Sequence, residues 1–478
     1  MKPWSQPPRV AVVGGGLSGL AAACALADSG LHVTVFERRP YLGGRASSYQ
    51  HPATGEVVDN CQHVLLGCCT NLIEFYNRLG VEDKIRWFEE LTFLEPGGRA
   101  SKIGPSFLPA PLHTAPAFLR AACLNLPDKI AIAGAMAALA PTTPKDTGES
   151  FLSWLRRHGQ TDRAIERFWK TILVSALNED VDRLSVPYAA QVVRESFLKS
   201  AVAGRMGVPT VPLTELYNAA GDYIRGFGGQ VRFRSSVESF RAEFAAVNLQ
   251  LPESEEAFDF VVLAVPFDVL SRMLPQTTAG DPLRKTLARF ETSPITGVHL
   301  WFDRQITDLE HAVLLDRTIQ WMFHKSKLLS TVNSNGKEKN GGGGSSAERS
   351  YIELVVSSSK SLVEKSRGEI IEMALSELRE FFPEARDATL VKSTVIKEVH
   401  ATYSPRPGVD NYRPQPETVW PRVFLAGDWT ATGWPATMEG AVRSGYLAAQ
   451  CVARVAGIGK AAFLVPDLPP AGFMRLVS

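Results

Sequence analysis

VAVVGGGLSGL, residues 10–20, decides how the rest of the chain is read. Val10 to Val13 has the character of a buried parallel strand. Gly14, Gly16 and Gly19 then fall on the G-x-G-x-x-G spacing, and AAACALA opens a helix of small residues. Glycines so placed permit a tight turn, close approach of backbone to a pyrophosphate, and close packing of helix on strand. Leu17 and Ser18 lie between them at the helix N-terminus, whose free N–H groups and positive dipole end suit phosphate. A second strand, LHVTVFE, begins at Leu31 and ends on Glu37, 18 residues beyond Gly19, where a carboxylate accepts hydrogen bonds from a ribose. Strand, turn, helix, second strand and terminal acid stand in register, and together they predict dinucleotide binding.

A chain of 478 residues can hold two or more domains. Its 51 basic residues against 50 acids give no global field toward nucleic acid. The six cysteines (Cys24, Cys61, Cys68, Cys69, Cys123 and Cys451) form no CxxC pair, and no signal-peptide pattern opens the chain. Reduced thiols in a cytoplasmic setting are therefore expected. The adjacent Cys68 and Cys69 read either as a redox pair or as ordinary half-buried thiols. No stretch reaches the roughly 18 apolar residues of a membrane-spanning helix; IAIAGAMAALAP, Ile130 to Pro141, is too short. Upstream, Pro105 to Leu126 is apolar, broken by prolines and poor in charge. It reads either as a cover over a substrate cavity or as a surface dipping into a bilayer. The second reading makes the chain peripheral on the inner face of the cytoplasmic membrane.

After Glu37 and Arg38, the run Gly43-Gly44-Arg45 reads as a second phosphate-contacting turn with a guanidinium free for charge-assisted bonds. VVDNCQHVLLG, Val57 to Gly67, then places Asp59, Asn60, Gln62 and His63 between hydrophobic runs. These are either loop-capping polar groups or the polar edge of a site. The acids Glu179, Asp180 and Asp182 have no histidine among them, so they read as helix caps and no metal is expected. Near the other end, VFLAGDWTATGWPATMEGAVRSG, Val423 to Gly445, reads as a strand, a tryptophan-bearing loop and a helix N-terminus.

The order strand, GGGLSG, E-R-R-x-x-x-G-G-R and DNCQHVLLGCCTNL resembles the FAD-dependent amine oxidase and phytoene desaturase superfamily. More narrowly, DNCQHVLLGCCTNLIEFYNRLG and ALNEDVDRLSVPYAAQVVRESFL are similar to hydroxysqualene dehydroxylases. The resemblance implies an α/β fold: a Rossmann-like FAD-binding domain built from discontinuous segments, plus a mixed α+β substrate domain. Residues 1–81, 205–269 and 406–478 would form the first. Residues 82–204 and 270–405 would form the second, with a glycine- and serine-rich flexible loop at 330–349. Carried over residue by residue, the FAD contacts would be Gly14, Gly16, Leu17, Ser18, Gly19, Glu37, Arg38, Gly43, Gly44, Arg45, Gln62, His63, Val237, Gly427, Asp428, Met438, Glu439 and Ala441. The backbone at Met438 and Glu439 would face the isoalloxazine. His63, with Asp59 and Gln62, would line the reacting ring and assist departure of a hydroxyl.

Amine oxidases of this superfamily usually set a lysine on a substrate-domain strand. The matching strand, ITGVHLWFD from Ile295, has none, and no lysine occurs between Lys285 and Lys325. The resemblance thus implies chemistry on a polyisoprenoid, and the two local runs favour reductive dehydroxylation of hydroxysqualene to squalene, on the route to hopanoids, with desaturation as the alternative. No second G-x-G-x-x-G occurs, so a nicotinamide cofactor at most visits and the electron donor is left open. A flavin-binding protein without catalysis is the third reading.

Overall fold

The computed structural model describes residues 6–329, 350–458 and 462–476. The strand Arg9–Val13 sits at the centre of a five-stranded parallel sheet. His32–Phe36 and then Gln230–Arg232 lie to one side, and Phe260–Leu263 and then Val423–Leu425 to the other. Three distant stretches of chain thus supply one sheet. Its central strands are apolar along their length because both faces are covered. On one face lies the helix Leu17–Asp28, in which every residue but the last is buried. Its small side chains have a cause. The closing helix Met438–Ala456 crosses it so tightly that a Cβ on Gly445 would stand 2.2 Å from the Ser18 carbonyl oxygen.

The second sheet has seven strands, in the order Leu390–Tyr403, Thr292–Phe302, Ser350–Ser357, Trp321–His324, His311–Leu314, Leu91–Leu94 and Ala100–Ile103. Its pairings are antiparallel except for His311–Leu314 beside Leu91–Leu94. The helix Arg367–Phe381, opened by a Ser366/Glu369 capping box, packs an apolar stripe on one face. The other face meets residues 57–66, where a Cβ on Gly297 would lie 3.4 Å from the Asn60 carbonyl oxygen.

Several local expectations shift. Phe258 to Pro266 reads in sequence as one buried strand, yet the chain divides at Asp259. Glu255–Phe258 joins a separate antiparallel three-stranded sheet, and Phe260–Leu263 alone enters the parallel one. Asp259 sets the break by bonding Arg9 through both its backbone and its carboxylate. The helical run through Ile165 contains a π-helical stretch, Ile165–Lys170, and a second follows at Val193–Leu198. A 3.6-residue pattern does not register such widened turns. The acids near 180 are not caps either. The helix Val186–Val192 starts at Ser185, while fully buried Glu179 binds Lys360 and Ser404, and Asp180 binds Lys360 at 3.0 Å. The stretch 330–349 lies outside the described residues. Among the described residues, no helix is long and apolar enough to cross a membrane.

Candidate functional site

Both sheets border one cavity of about 490 Å³. At one end the two glycine turns lie back to back. Gly14 has φ +111°, and a Cβ there would meet the Ala264 carbonyl oxygen at 2.4 Å. Gly43 and Gly44 also hold positive φ, and the Gly43 amide donates to the Gly15 carbonyl at 2.9 Å. Gly16 opens the first helix with no capping side chain and no acid in its first turn, so the helix terminus is left to its backbone amides. Gly19 does not line the cavity. A Cβ there would lie 1.9 Å from the Gly14 carbonyl oxygen, so this glycine serves the packing of helix on turn. Glu37, at the end of its strand, accepts from the Gly15 and Arg39 amides at 2.8 and 2.7 Å and faces the cavity with Arg38 and Val237 beside it.

The second turn departs from expectation. The Arg45 guanidinium is not free: it donates to the Ala401 carbonyl and to Asp428 Oδ1, each at 2.7 Å. Burial opposes its charge, but Asp428 outweighs burial and holds the Arg45 pKa above its usual value. Asp428 is correspondingly an acceptor already in use. The cause is convergence: the loop after Val423–Leu425 and the end of Leu390–Tyr403 meet the glycine turn at this point. At the closing helix, Thr437 Oγ1 accepts from the Gly440 amide, and Met438, Glu439 and Ala441 line the cavity. The Glu439 side chain turns away to cap the helix Thr70–Leu79 through the Asn71 and Leu72 amides, leaving its backbone for a ligand.

The polar edge lies beyond. Gln62 and His63 line the cavity and Asp59 does not, so the sequence-based placement of Asp59 at the reacting ring is corrected. It lies behind, accepting from Ser48 Oγ at 2.5 Å and from Lys325 Nζ at 2.7 Å. Burial works to raise the Asp59 pKa, but Lys325 prevails and holds it below the usual range. Lys325 Nζ also donates to Gln62 Oε1 at 2.7 Å, while Gln62 Nε2 donates to the His63 carbonyl at 2.9 Å. His63 Nδ1 lies 2.7 Å from the Cys61 carbonyl, which fixes the proton there and leaves Nε2 as the lone-pair nitrogen. Burial pushes the imidazole pKa down, with the Cys61 carbonyl opposing. At neutral pH His63 is therefore neutral: an acceptor toward the cavity, a poor acid. Lys325 was missed because it is far away in sequence, although Glu353, a lone acid in the fully buried strand Ser350–Ser357, signals that a cation must come to it.

Toward the far end the walls are apolar: Ile172, Val192, Phe197, Phe93, Trp321 and Phe323. Trp321 Nε1 is bonded to Ser175 Oγ at 2.7 Å. Both π-helical stretches adjoin this wall, and the second turns Glu195 and Ser196 inward. Cys68 and Cys69 also line the cavity, and all six cysteines are free. The hydrogen bond from Cys68 and then burial push the Cys69 thiol well up, so Cys69 stays protonated.

The residues fit FAD. Side-chain-free turns and an uncapped helix terminus meet a diphosphate, a braced carboxylate meets a ribose, and a long slot continues to a neutral polar edge. Comparison with known proteins agrees. The sequence profile of the family described as flavin containing amine oxidoreductase matches residues 17–453. The chain is 28% identical over 472 residues to a 15-cis-phytoene desaturase of Synechococcus elongatus, covering 93% of this chain and 95% of that one. A chloroplastic/chromoplastic 15-cis-phytoene desaturase of Arabidopsis thaliana is 28% identical over 474 residues, covering 94% and 80%. Among solved structures, an oxidoreductase from Methanosarcina mazei superposes with a TM-score of 0.69 at 16% identity, covering 91% and 98%. Cyclohexylamine oxidase from Brevibacterium oxydans does so with 0.64 at 18%, covering 94% and 99%. These two show the shared fold.

Proposed function

The chain belongs to the flavin-containing amine oxidoreductase family and is an FAD-dependent oxidoreductase with phytoene desaturase relatives; from that premise we propose that it removes the hydroxyl of hydroxysqualene to give squalene. The observation that carries the reading is the cavity itself: an apolar slot suited to a polyisoprenoid, ending at the Gln62–His63 edge within the run DNCQHVLLGCCTNLIEFYNRLG that resembles dehydroxylases. The strand Thr292–Phe302 carries no lysine, and Lys325 is occupied by carboxylates, which speaks against amine oxidation. The chemistry FAD supplies is two-electron hydride exchange: reduced flavin would give a hydride to an allylic carbon and release the proton with which the hydroxyl leaves as water, whereas in desaturation oxidised flavin would take a hydride from one saturated carbon while a base takes the proton of its neighbour. In the first case the apolar walls keep bulk water from the electron-poor carbon. His63 Nε2, as an acceptor, orients the substrate hydroxyl by taking its hydrogen bond.

The second reading is polyisoprenoid desaturation. It draws support from the relatives named above and from the neutral state of His63, which suits a base better than an acid. Direction of electron flow separates the two. Reduced enzyme mixed anaerobically with hydroxysqualene should reoxidise as squalene appears. If the reduced form is inert and oxidised enzyme instead desaturates squalene or phytoene, the second reading replaces the first.

Such a substrate must arrive from lipid, and one surface suits that. The helix Leu126–Leu139 turns Leu126, Ile130, Ala133 and Ala137 outward, while Phe107 and Leu119 stand exposed nearby. Phe473 and Leu476 join them through the Phe473 amide bond to the Ala110 carbonyl. Between residues 100 and 140 the charges are Lys102, Arg120, Lys129 and a buried Asp128, so the exposed charges of this segment are cationic. We infer peripheral contact with an anionic bilayer, the inner face of the cytoplasmic membrane. The stretch Val193–Leu198 connects this surface to the site, with Arg194 bonded to the Leu139 carbonyl and Phe197 lining the cavity.

A further inference from the structure

The polar edge stands on a buried charge cluster. Glu353 lies in the middle of Ser350–Ser357, with His299 and Phe323 as its register partners on the flanking strands. It is fully buried, and neither carboxyl oxygen has a partner at short hydrogen-bond geometry, the Gln62 backbone amide and Lys325 giving its charged form only looser support. The nearest cation is Lys325, whose Nζ lies 3.5 Å from Glu353 Oε2 but keeps its two short bonds for Asp59 and Gln62. Two carboxyls therefore share one ammonium. The other titratable groups facing Glu353 are His299 from the strand beside it, Tyr351 on its own strand and Cys61 from the segment beneath. None adds a positive charge. Burial drives His299 down to about 3, and burial lifts Tyr351 and Cys61 well up, so all three stay neutral.

With Asp59, Lys325 and Glu353 all ionised, one uncompensated negative charge would sit away from water, a strongly unfavourable state. A proton on Glu353 removes it. Burial accordingly lifts this carboxyl to about 7 against the pull of Lys325. We propose that Lys325 is the positioning residue of the cavity's polar edge and that Glu353 is its proton store. Lys325 clamps the Gln62 amide, Gln62 holds the His63 carbonyl, and the proton on Glu353 decides whether this edge presents a neutral or a negative field. The inference rests on the reading that the flavin ring lies against Gln62 and His63. Its spectral test needs neither choice of substrate, and its kinetic test uses hydroxysqualene or, on the second reading, phytoene.

The test uses the FAD-loaded full chain. Visible flavin absorbance followed from pH 5.5 to 8.5 should show a step centred near 7 in the parent, absent in Glu353→Gln with FAD content unchanged. A step that persists in Glu353→Gln, or no step in the parent, overturns the proton store. His63→Ala serves as the control for ring placement. If it leaves the flavin spectrum untouched while FAD stays bound, the ring lies elsewhere and the proposal falls for that separate reason. Lys325→Met should lower kcat at least about tenfold with KM and FAD content little changed, and Lys325→Arg should restore most of it. Because Lys325→Met strands Asp59, the double variant Asp59→Asn/Lys325→Met is measured beside it, and the same kcat loss is expected there. Parental kcat in either variant overturns the positioning role.

Discussion

The glycine turns and the charge cage flank the same cavity and are built by opposite means. The turns come from residues 14–19 and 43–45, and their demands are steric: Gly14 must leave room for the Ala264 carbonyl, and Gly43 must hold positive φ. The cage joins Asp59 to Lys325, 266 positions away, and then to Glu353 on a neighbouring strand. Its demands are electrostatic, set by burial and by how many charges share the space. A side chain intruding on the turns removes the cofactor. A change in the cage leaves the cofactor and alters what its surroundings do. The difference teaches that one cavity can separate holding a ligand from tuning it, by assigning each to a different sheet.

The largest effect should come from the steric side. Gly14→Val places a branched Cβ where 2.4 Å separates it from a carbonyl oxygen, on a backbone at φ +111° that branched residues rarely adopt. Purified protein should carry no FAD and regain none on incubation with excess FAD. Stoichiometric FAD in this variant would break the division drawn above. His63→Ala should come next, with turnover per bound FAD lowered by about a hundredfold and FAD content retained. Equal turnover per bound flavin would remove His63 from the chemistry.

Much of the steric side is legible in sequence because it is local. Gly14, Gly16, Glu37, Gly43 and Gly44 fall within neighbouring turns of one βαβ unit, and a spacing rule captures them. Val237, Met438 and Ala441 become legible through the resemblance alone, since no local pattern announces a backbone contact. The electrostatic side is largely closed to such a reading. That Arg45 is committed to Asp428, that Glu439 caps a distant helix, and that Asp59 lies behind the cavity each depend on which strands meet. The one usable signal was compositional: Glu353 alone among apolar residues in a strand buried throughout. The π-helical stretches were hidden for a different reason, since one widened turn barely disturbs an apolar pattern.

The cage also makes a prediction about pH and stability. Glu353 has its pKa raised from 4.5 to about 7 in the folded chain. Between those values the folded state holds a proton that the unfolded state has released. Stability contributed by this site therefore falls as pH rises through that window and is flat above it. Asp59, held below its usual range by Lys325 against the effect of burial, acts the other way, losing its stabilising share as pH falls through the carboxylate range. Urea midpoints measured from pH 5 to 8 should decline in the parent and decline less in Glu353→Gln. Parallel curves would show that Glu353 titrates normally.

The smallest effect on the folded molecule should come from its rim. Ile130 is 65% exposed on a helix face whose neighbours are Leu126, Pro127, Ala133 and Gly134, so it contributes little to the core. Ile130→Asp should leave the melting temperature, FAD content and turnover of detergent-solubilised substrate close to the parent values, since surface changes of this kind stay within about 0.5 kcal/mol. Against vesicles containing anionic lipid the outcome should differ. The substitution removes apolar area from the contact and adds a charge of the lipid's own sign beside Arg120 and Lys129. Co-sedimentation should drop several-fold, and turnover of vesicle-borne substrate should drop with it. Added salt should weaken the parent's binding, because the exposed cationic charges of this segment supply part of it. If Ile130→Asp sediments with vesicles as the parent does, the exposed face is not the lipid contact. The cover reading of Pro105 to Leu126 would then stand, and the cavity's apolar walls would have to fill by another path.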